Sequence, residues 1–83
     1  QYIQRIEGLE NVAKEVGGDK VEEVFAIRAG RELRVIVKPN LISDDEMTVL
    51  AKDLAEKIEK TQNYPGNVEV TLIRETRAVE IAK

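Results

Sequence analysis

The 83-residue sequence contains no cysteine and no histidine. Without cysteine there is no disulfide framework and no thiolate nucleophile, a composition that fits the cytosol. Without histidine the commonest general base and the commonest transition-metal ligand are both missing. Tryptophan is absent too, and Tyr2, Phe25 and Tyr64 are the only aromatic residues. The stacking platforms that single-stranded nucleic-acid binders build from aromatic rings are therefore scarcely available. No apolar run approaches the ~20 residues needed to cross a bilayer, and the first residues show no signal-peptide pattern. Thirteen basic residues against sixteen acidic ones leave a net charge of −3. That balance argues against a wholly basic nucleic-acid module, although it leaves room for a local basic patch.

What is present describes a small folded unit. At 42% hydrophobic and 35% charged residues, the composition is that of a soluble domain rather than a disordered tract. There are no internal repeats, low-complexity tracts or linker-like stretches, so residues 1–83 read as one domain. A chain of this size buries roughly 60–65% of the surface its unfolded form exposes, and self-association would help so modest a core.

Residues 1–16 place Tyr2, Ile6, Leu9, Val12, Ala13 and Val16 on one helical stripe. Gly8 interrupts the stripe at a cost of about 1 kcal/mol relative to alanine, so the first turns are expected to fray. No capping residue precedes it, which reads as a fragment of a longer polypeptide beginning inside a helix. Gly17-Gly18-Asp19 ends the helix. Val24 to Pro39 then reads as a hairpin turning at Gly30-Arg31, pairing Ala26 with Val35, Val24 with Val37, Phe25 with Ile36 and Glu23 with Lys38. Alternation commits Val24, Ala26, Leu33, Val35 and Val37 to one apolar face. Phe25, Ile27 and Ile36 occupy the other, among Glu23, Arg34 and Lys38.

Ser43-Asp44-Asp45-Glu46 forms a capping box, and Met47, Leu50, Ala51, Leu54, Ala55 and Ile58 continue as an unbroken helical stripe to about Gln62. Asp53–Lys57 and Glu56–Lys60 are spaced as acid-before-base pairs on its wet side. Tyr64-Pro65-Gly66 closes this helix, and Asn67 to Arg74 alternates as a third strand that residues 75–83 are expected to extend. The expected fold is thus α+β, a two-layer sandwich of order αββαβ. Its three-stranded, mainly antiparallel sheet carries two helices on one face. Strands two and three either lie adjacent and parallel or admit the first strand between them, and the second arrangement is preferred for so short a chain.

No constellation points to catalysis, to a metal or to a cofactor within this segment. Asp44, Asp45 and Glu46 are accounted for by the helix N-terminus, Ser43 lacks a base to activate it, and Gly17-Gly18-Asp19-Lys20 is neither a phosphate loop nor a KH-type Gly-x-x-Gly loop. Two surfaces remain. Phe25, Ile27, Ile36 and Ile73 look away from the helices and would form an association patch if left open. Arg28, Arg31, Arg34 and Lys38 crowd the hairpin against the single acid Glu32, with Arg74 and Arg77 able to add to them. Such a cluster either grips phosphates, as an RNA contact, or merely solvates a strand end and discourages edge pairing.

The hairpin Phe25-Ala-Ile-Arg-Ala-Gly-Arg-Glu-Leu-Arg-Val-Ile-Val-Lys-Pro39 resembles the C-terminal region of the bacterial ribonuclease Y family. So do the start, Tyr2-Ile-Gln-Arg-Ile-Glu-Gly-Leu-Glu10, and the end, Tyr64-Pro-Gly with Ile73-Arg-Glu-Thr-Arg-Ala-Val-Glu80. The three blocks fall in order over nearly the whole chain. The resemblance implies a membrane-anchored endoribonuclease that initiates messenger RNA decay. Such a parent has a transmembrane segment, a coiled coil, a KH domain and an HD-type domain that uses a divalent metal, followed by this region. The HD histidines and aspartates, the KH loop and the anchor have no counterpart here. What the resemblance leaves for this chain is a cytoplasmic accessory domain without direct membrane contact. Its expected partners are a second copy or the HD domain, with RNA as an alternative.

Overall fold

The computed structural model describes residues 2–62 and 66–83. The chain runs α1 (Tyr2–Gly17), a single 3-10 turn (Gly18–Lys20), β1 (Val21–Ile27), β2 (Glu32–Val37), α2 (Asp44–Thr61) and β3 (Glu69–Arg74). The fold class is the expected one: α+β, two layers, αββαβ. Leu9, Val12 and Ala13 of α1 and Leu50, Leu54 and Ile58 of α2 pack on Leu33, Val35 and Val37 of the sheet. Val24, Ala26, Val70 and Leu72 flank that core, so both helices cover one face of the sheet.

Strand order departs from the preferred arrangement. The sheet runs β1-β2-β3, with β1 antiparallel and β3 parallel to β2. The central strand is therefore β2, and its sequence shows why. Leu33, Val35, Ile36 and Val37 are all buried, whereas β1 buries none of its residues fully. A strand apolar on both faces is best placed between two others.

The hairpin register also differs, in an instructive way. Val24 sits opposite Val35, Ala26 opposite Leu33, Phe25 opposite Arg34 and Ile27 opposite Glu32. The turn lies one residue earlier than Gly30-Arg31 would place it. Arg28, Ala29 and Gly30 all adopt positive φ, at 52°, 57° and 82°, and the Gly30 amide donates to the Ile27 carbonyl at 3.1 Å. Each partner consequently slides by two residues, which leaves every side chain on its expected face. Glu23 faces Ile36, so no Glu23–Lys38 pair forms. A bulge between Val21 and Glu23 adds one residue to β1 and turns Val21 back toward the core, where it packs with Val24 three positions on.

The ends of the elements follow local chemistry. Gly18, with φ at 59°, makes the left-handed exit from α1. The capping box of α2 is complete: the Glu46 amide donates to Ser43 Oγ at 3.2 Å and the Ser43 amide donates to Glu46 Oε1 at 2.9 Å. α1 runs through Gly8 without a break, and the space that a Cβ there would need is taken by the Gln62 side chain. Lys57 reaches across to Glu15 of α1 at 3.7 Å rather than to Asp53. The third strand begins at Glu69, and residues 75–83 have no regular secondary structure instead of extending it. Tyr64 and Pro65, expected to close α2, lie outside the described residues.

Candidate interaction surface

The sheet face opposite the helices is built in three cross-strand rows. At the hairpin-tip end lie Ile27, Glu32 and Glu69, then Phe25, Arg34 and Thr71, then Glu23, Ile36 and Ile73. The four apolar residues predicted here do share this face, but they do not form one block. Ile36 and Ile73 are direct neighbours, and Phe25 stands diagonal to Ile36, within reach of an aromatic ring. Ile27 is set apart beside Glu32. Phe25 remains 45% exposed, Ile27 and Ile73 are partly buried, and Ile36, on the central strand, is 6% exposed.

The polar half of this face is an ion cluster centred on an acid that sequence reasoning treated only as a charge. Glu32 is 6% exposed, the one buried charged residue among those described. Its carboxylate accepts from Arg34 Nε at 2.9 Å and from Thr71 Oγ1 at 3.2 Å, and Arg28 lies 3.2 Å away. The Arg34 hydrogen bond holds the Glu32 carboxyl below the usual glutamate range, against the opposing effect of burial, with the Arg34 charge, Thr71 and Arg28 assisting. Arg28 also bridges to Glu69 on β3 at 3.0 Å. The spacing that could have signalled this cluster is Arg28–Glu32–Arg34, which one turn and one strand face bring together.

These contacts decide what the basic residues can offer. Arg28 and Arg34 are engaged by Glu32 and Glu69. Arg31 and Lys38 make no ion pair among the described residues, and they lie at opposite ends of β2, about 20 Å apart at ~3.3 Å per residue. Arg74 is turned to the helix side, where it donates to the Ile42 carbonyl at 2.8 Å and pairs with Asp44. Arg77 pairs with Glu75, which raises its already high pKa. The six cations are thus dispersed rather than gathered into a groove.

Elsewhere, a groove of about 360 Å³ lies between the end of α1 and the start of α2, lined by Val16, Ile42, Val49 and Leu50. The Lys20–Glu46 ion pair borders it, at 3.2 Å. Glu46 is held below its usual pKa chiefly by the Ser43 amide and then by Lys20, so its charge serves the helix cap. Among the described residues no group of three or more acidic, cysteine or histidine side chains is placed to hold a metal ion. No described helix is long and apolar enough to cross a membrane.

Against known proteins, the chain is 57% identical over 83 residues to ribonuclease Y of Thermus thermophilus, a match covering 100% of this chain and 14% of that protein. The chain matches a segment of ribonuclease Y. Ribonuclease Y of Fusobacterium nucleatum is 52% identical over 82 residues, covering 99% of this chain and 16% of the relative. That of Streptococcus sanguinis is 51% identical over 82 residues, covering 99% and 15%. The chain thus spans about one-seventh of the length of the ribonuclease Y proteins it matches, which is consistent with the C-terminal region that the sequence resembles. No family model matches the chain, and no solved structure does.

Proposed function

We propose that this chain is a non-catalytic accessory domain in the C-terminal region of a ribonuclease Y, serving self-association or docking onto the HD catalytic domain. The parent would be the endoribonuclease that the resemblance implies, anchored to the membrane, acting on messenger RNA and using a divalent metal in the HD domain. None of that chemistry is asked of the present residues. The observation that carries the reading is the sheet face bearing Phe25, Ile36 and Ile73. Both helices are spent on the opposite face, and a phenylalanine nearly half exposed beside two isoleucines is the kind of surface that gains by being covered. Docking that covered the part of Phe25 still exposed would contribute about 1 kcal/mol.

Sedimentation velocity on the 83-residue chain tests this, alone and mixed with a segment carrying the HD domain. Association that Phe25→Asp weakens is the expected result. A monomer at high micromolar concentration that also ignores the HD segment would refute it. Binding of a single-stranded RNA, steeply salt-dependent and lost on Arg31→Ala with Lys38→Ala, would instead favour an RNA-guiding role. The pairing of Arg28 and Arg34 with Glu32 leaves that role less well supported.

A further inference from the structure

β3 and the segment after it have a property that the sheet face does not explain. β3 is an edge strand. The Glu69 amide donates inward to the Arg31 carbonyl at 2.8 Å, and backbone groups alternate direction along a strand. Val70, Leu72 and Arg74 therefore direct their amides and carbonyls to the open edge, a ready template for another strand. Beyond Arg74 the chain carries Val79 and Ile81, exposed at 78% and 80%, on either side of Glu80 with alanines outside them, two β-branched residues at strand spacing that have no sheet. The Cα radius of gyration, 13.8 Å, exceeds the roughly 12 Å of a compact chain of this length, as expected where a segment leaves the body.

We propose that residues 69–83 pair antiparallel with the same residues of a second copy, joining two three-stranded sheets edge to edge about a two-fold axis at Thr76. This rests on the self-association reading above and names the surface that performs it. The argument is the self-complementarity of the segment when read against its own reverse. With Thr76 opposite Thr76, Glu75 meets Arg77, Ile73 meets Val79, Thr71 meets Ile81 and Glu69 meets Lys83, all on one face. The outward-facing residues pair among themselves, Arg74 with Ala78, Leu72 with Glu80 and Val70 with Ala82, as antiparallel hydrogen bonding across this edge requires. Shifting the register by two residues destroys the match in either direction. One shift sets Glu75 against Glu75 and Ile73 against Arg77, and the other sets Arg77 against Arg77 and Glu75 against Val79. A segment that fits its own two-fold image points to a second copy of this chain rather than to an unrelated partner.

The pairing exchanges contacts that each chain now satisfies internally. Arg77 gives up Glu75 of its own chain for Glu75 of the other. The tail leaves the recess of about 490 Å³ that it borders with Glu22, Glu23 and Pro39 and continues the line of β3. Val79 then lies beside Ile73, with Ile36 on the far side of Ile73, so the apolar part of the open face grows across the junction.

Cysteine cross-linking tests the register directly, since the chain has no cysteine of its own. At a two-fold axis the Cα atoms of an antiparallel pair stand about 5.5 Å apart, within disulfide range. Thr76→Cys in a glutathione buffer should therefore form a dimer at least about tenfold faster than Ala78→Cys. The two Ala78 positions lie four residues out of register, more than about 13 Å apart. Thr76→Pro removes a central amide from the ladder and should weaken association measured by sedimentation at least about tenfold. Arg77→Glu should also weaken it, and Glu75→Arg combined with Arg77→Glu should restore it. Equal cross-linking at 76 and 78, with Thr76→Pro associating normally, would overturn the proposal. If Phe25→Asp alone then abolished association, the open face would stand as the interface without the tail. A chain that stays monomeric throughout would refute the tail pairing, and the sheet face would then depend on the HD domain for its partner.

Discussion

The turn between β1 and β2 holds two adjacent residues whose substitution should act in opposite directions. Gly30 sits buried beneath α1 with φ at 82°, and a Cβ there would meet Arg5 Cδ at 3.1 Å and Ile6 Cδ1 at 3.6 Å. Alanine in the left-handed region costs roughly 1–2 kcal/mol. The smaller entropy of its unfolded state returns about 0.4–1 kcal/mol, and the flexible Arg5 stem must yield a few tenths of an ångström. Gly30→Ala should therefore destabilise by about 1 kcal/mol. Ala29, by contrast, already carries a side chain at φ 57°. Ala29→Gly removes that strain and returns a similar entropy to the unfolded chain, so it should be neutral or slightly stabilising. Total stability of a domain this size is on the order of 4–12 kcal/mol, so the Gly30 loss is easily read. In urea, with a slope near the low end of about 1 kcal/mol per molar, the midpoint should fall by about 1 M for Gly30→Ala. Far-UV circular dichroism suits a chain without tryptophan. Gly66→Ala, with open space around its Cβ position, is the control. A Gly30→Ala midpoint indistinguishable from that control would refute the turn geometry and, with it, the docking of the hairpin tip under α1.

Leu54, fully buried on α2, should cost about 2–5 kcal/mol as Leu54→Ala, whereas exposed Val49→Ala should stay within roughly 0.5 kcal/mol; both are read in the same urea titration. Ser43→Ala removes half of the capping box and should lower stability by about 1 kcal/mol, with the loss confined to α2 in hydrogen exchange. Glu32 and Glu46 both have folded pKa values below the 4.5 of an unperturbed glutamate. The unfolded chain therefore takes up protons first as pH falls, and the stability that these groups confer is present above that value and lost as acid carries them through their folded pKa values. Glu32→Gln should flatten the acid limb of a stability–pH profile, and an unchanged limb would show that the cluster contributes nothing to it.

The parts of this fold that were legible in the sequence are those fixed by periodicity and local chemistry. The stripe of Leu50, Leu54 and Ile58 and the box at Ser43 and Glu46 needed only spacing. The two-sided character of the hairpin was also readable, because a displacement of the turn by one residue moves partners by two and spares the faces. What spacing could not give was the pairing itself. Nothing local separates a turn at Gly30-Arg31 from one at Ala29-Gly30; the second is held by Arg5 and Ile6 above Gly30 and by Glu32 among Arg28, Arg34 and Thr71. Strand order depends on β2 being apolar on both faces, a signal present in Val35-Ile36-Val37 but outweighed by a preference for antiparallel neighbours. Alternation placed Phe25, Ile27, Ile36 and Ile73 on one face but did not give their layout, since Phe25 lies beside Arg34 rather than opposite Ile36.

The parallel pairing of β2 with β3 sets an order of assembly. The hairpin and α1 are joined by short connections and can form from local contacts, whereas β3 reaches β2 only after all of α2 has been traversed. Until then the most apolar strand of the molecule has one edge without a partner. That interval, more than any feature of the finished domain, is where strand-mediated aggregation would begin. Solubility during refolding should accordingly depend on how quickly α2 closes, and the cap at Ser43 governs a kinetic hazard as well as a helix end.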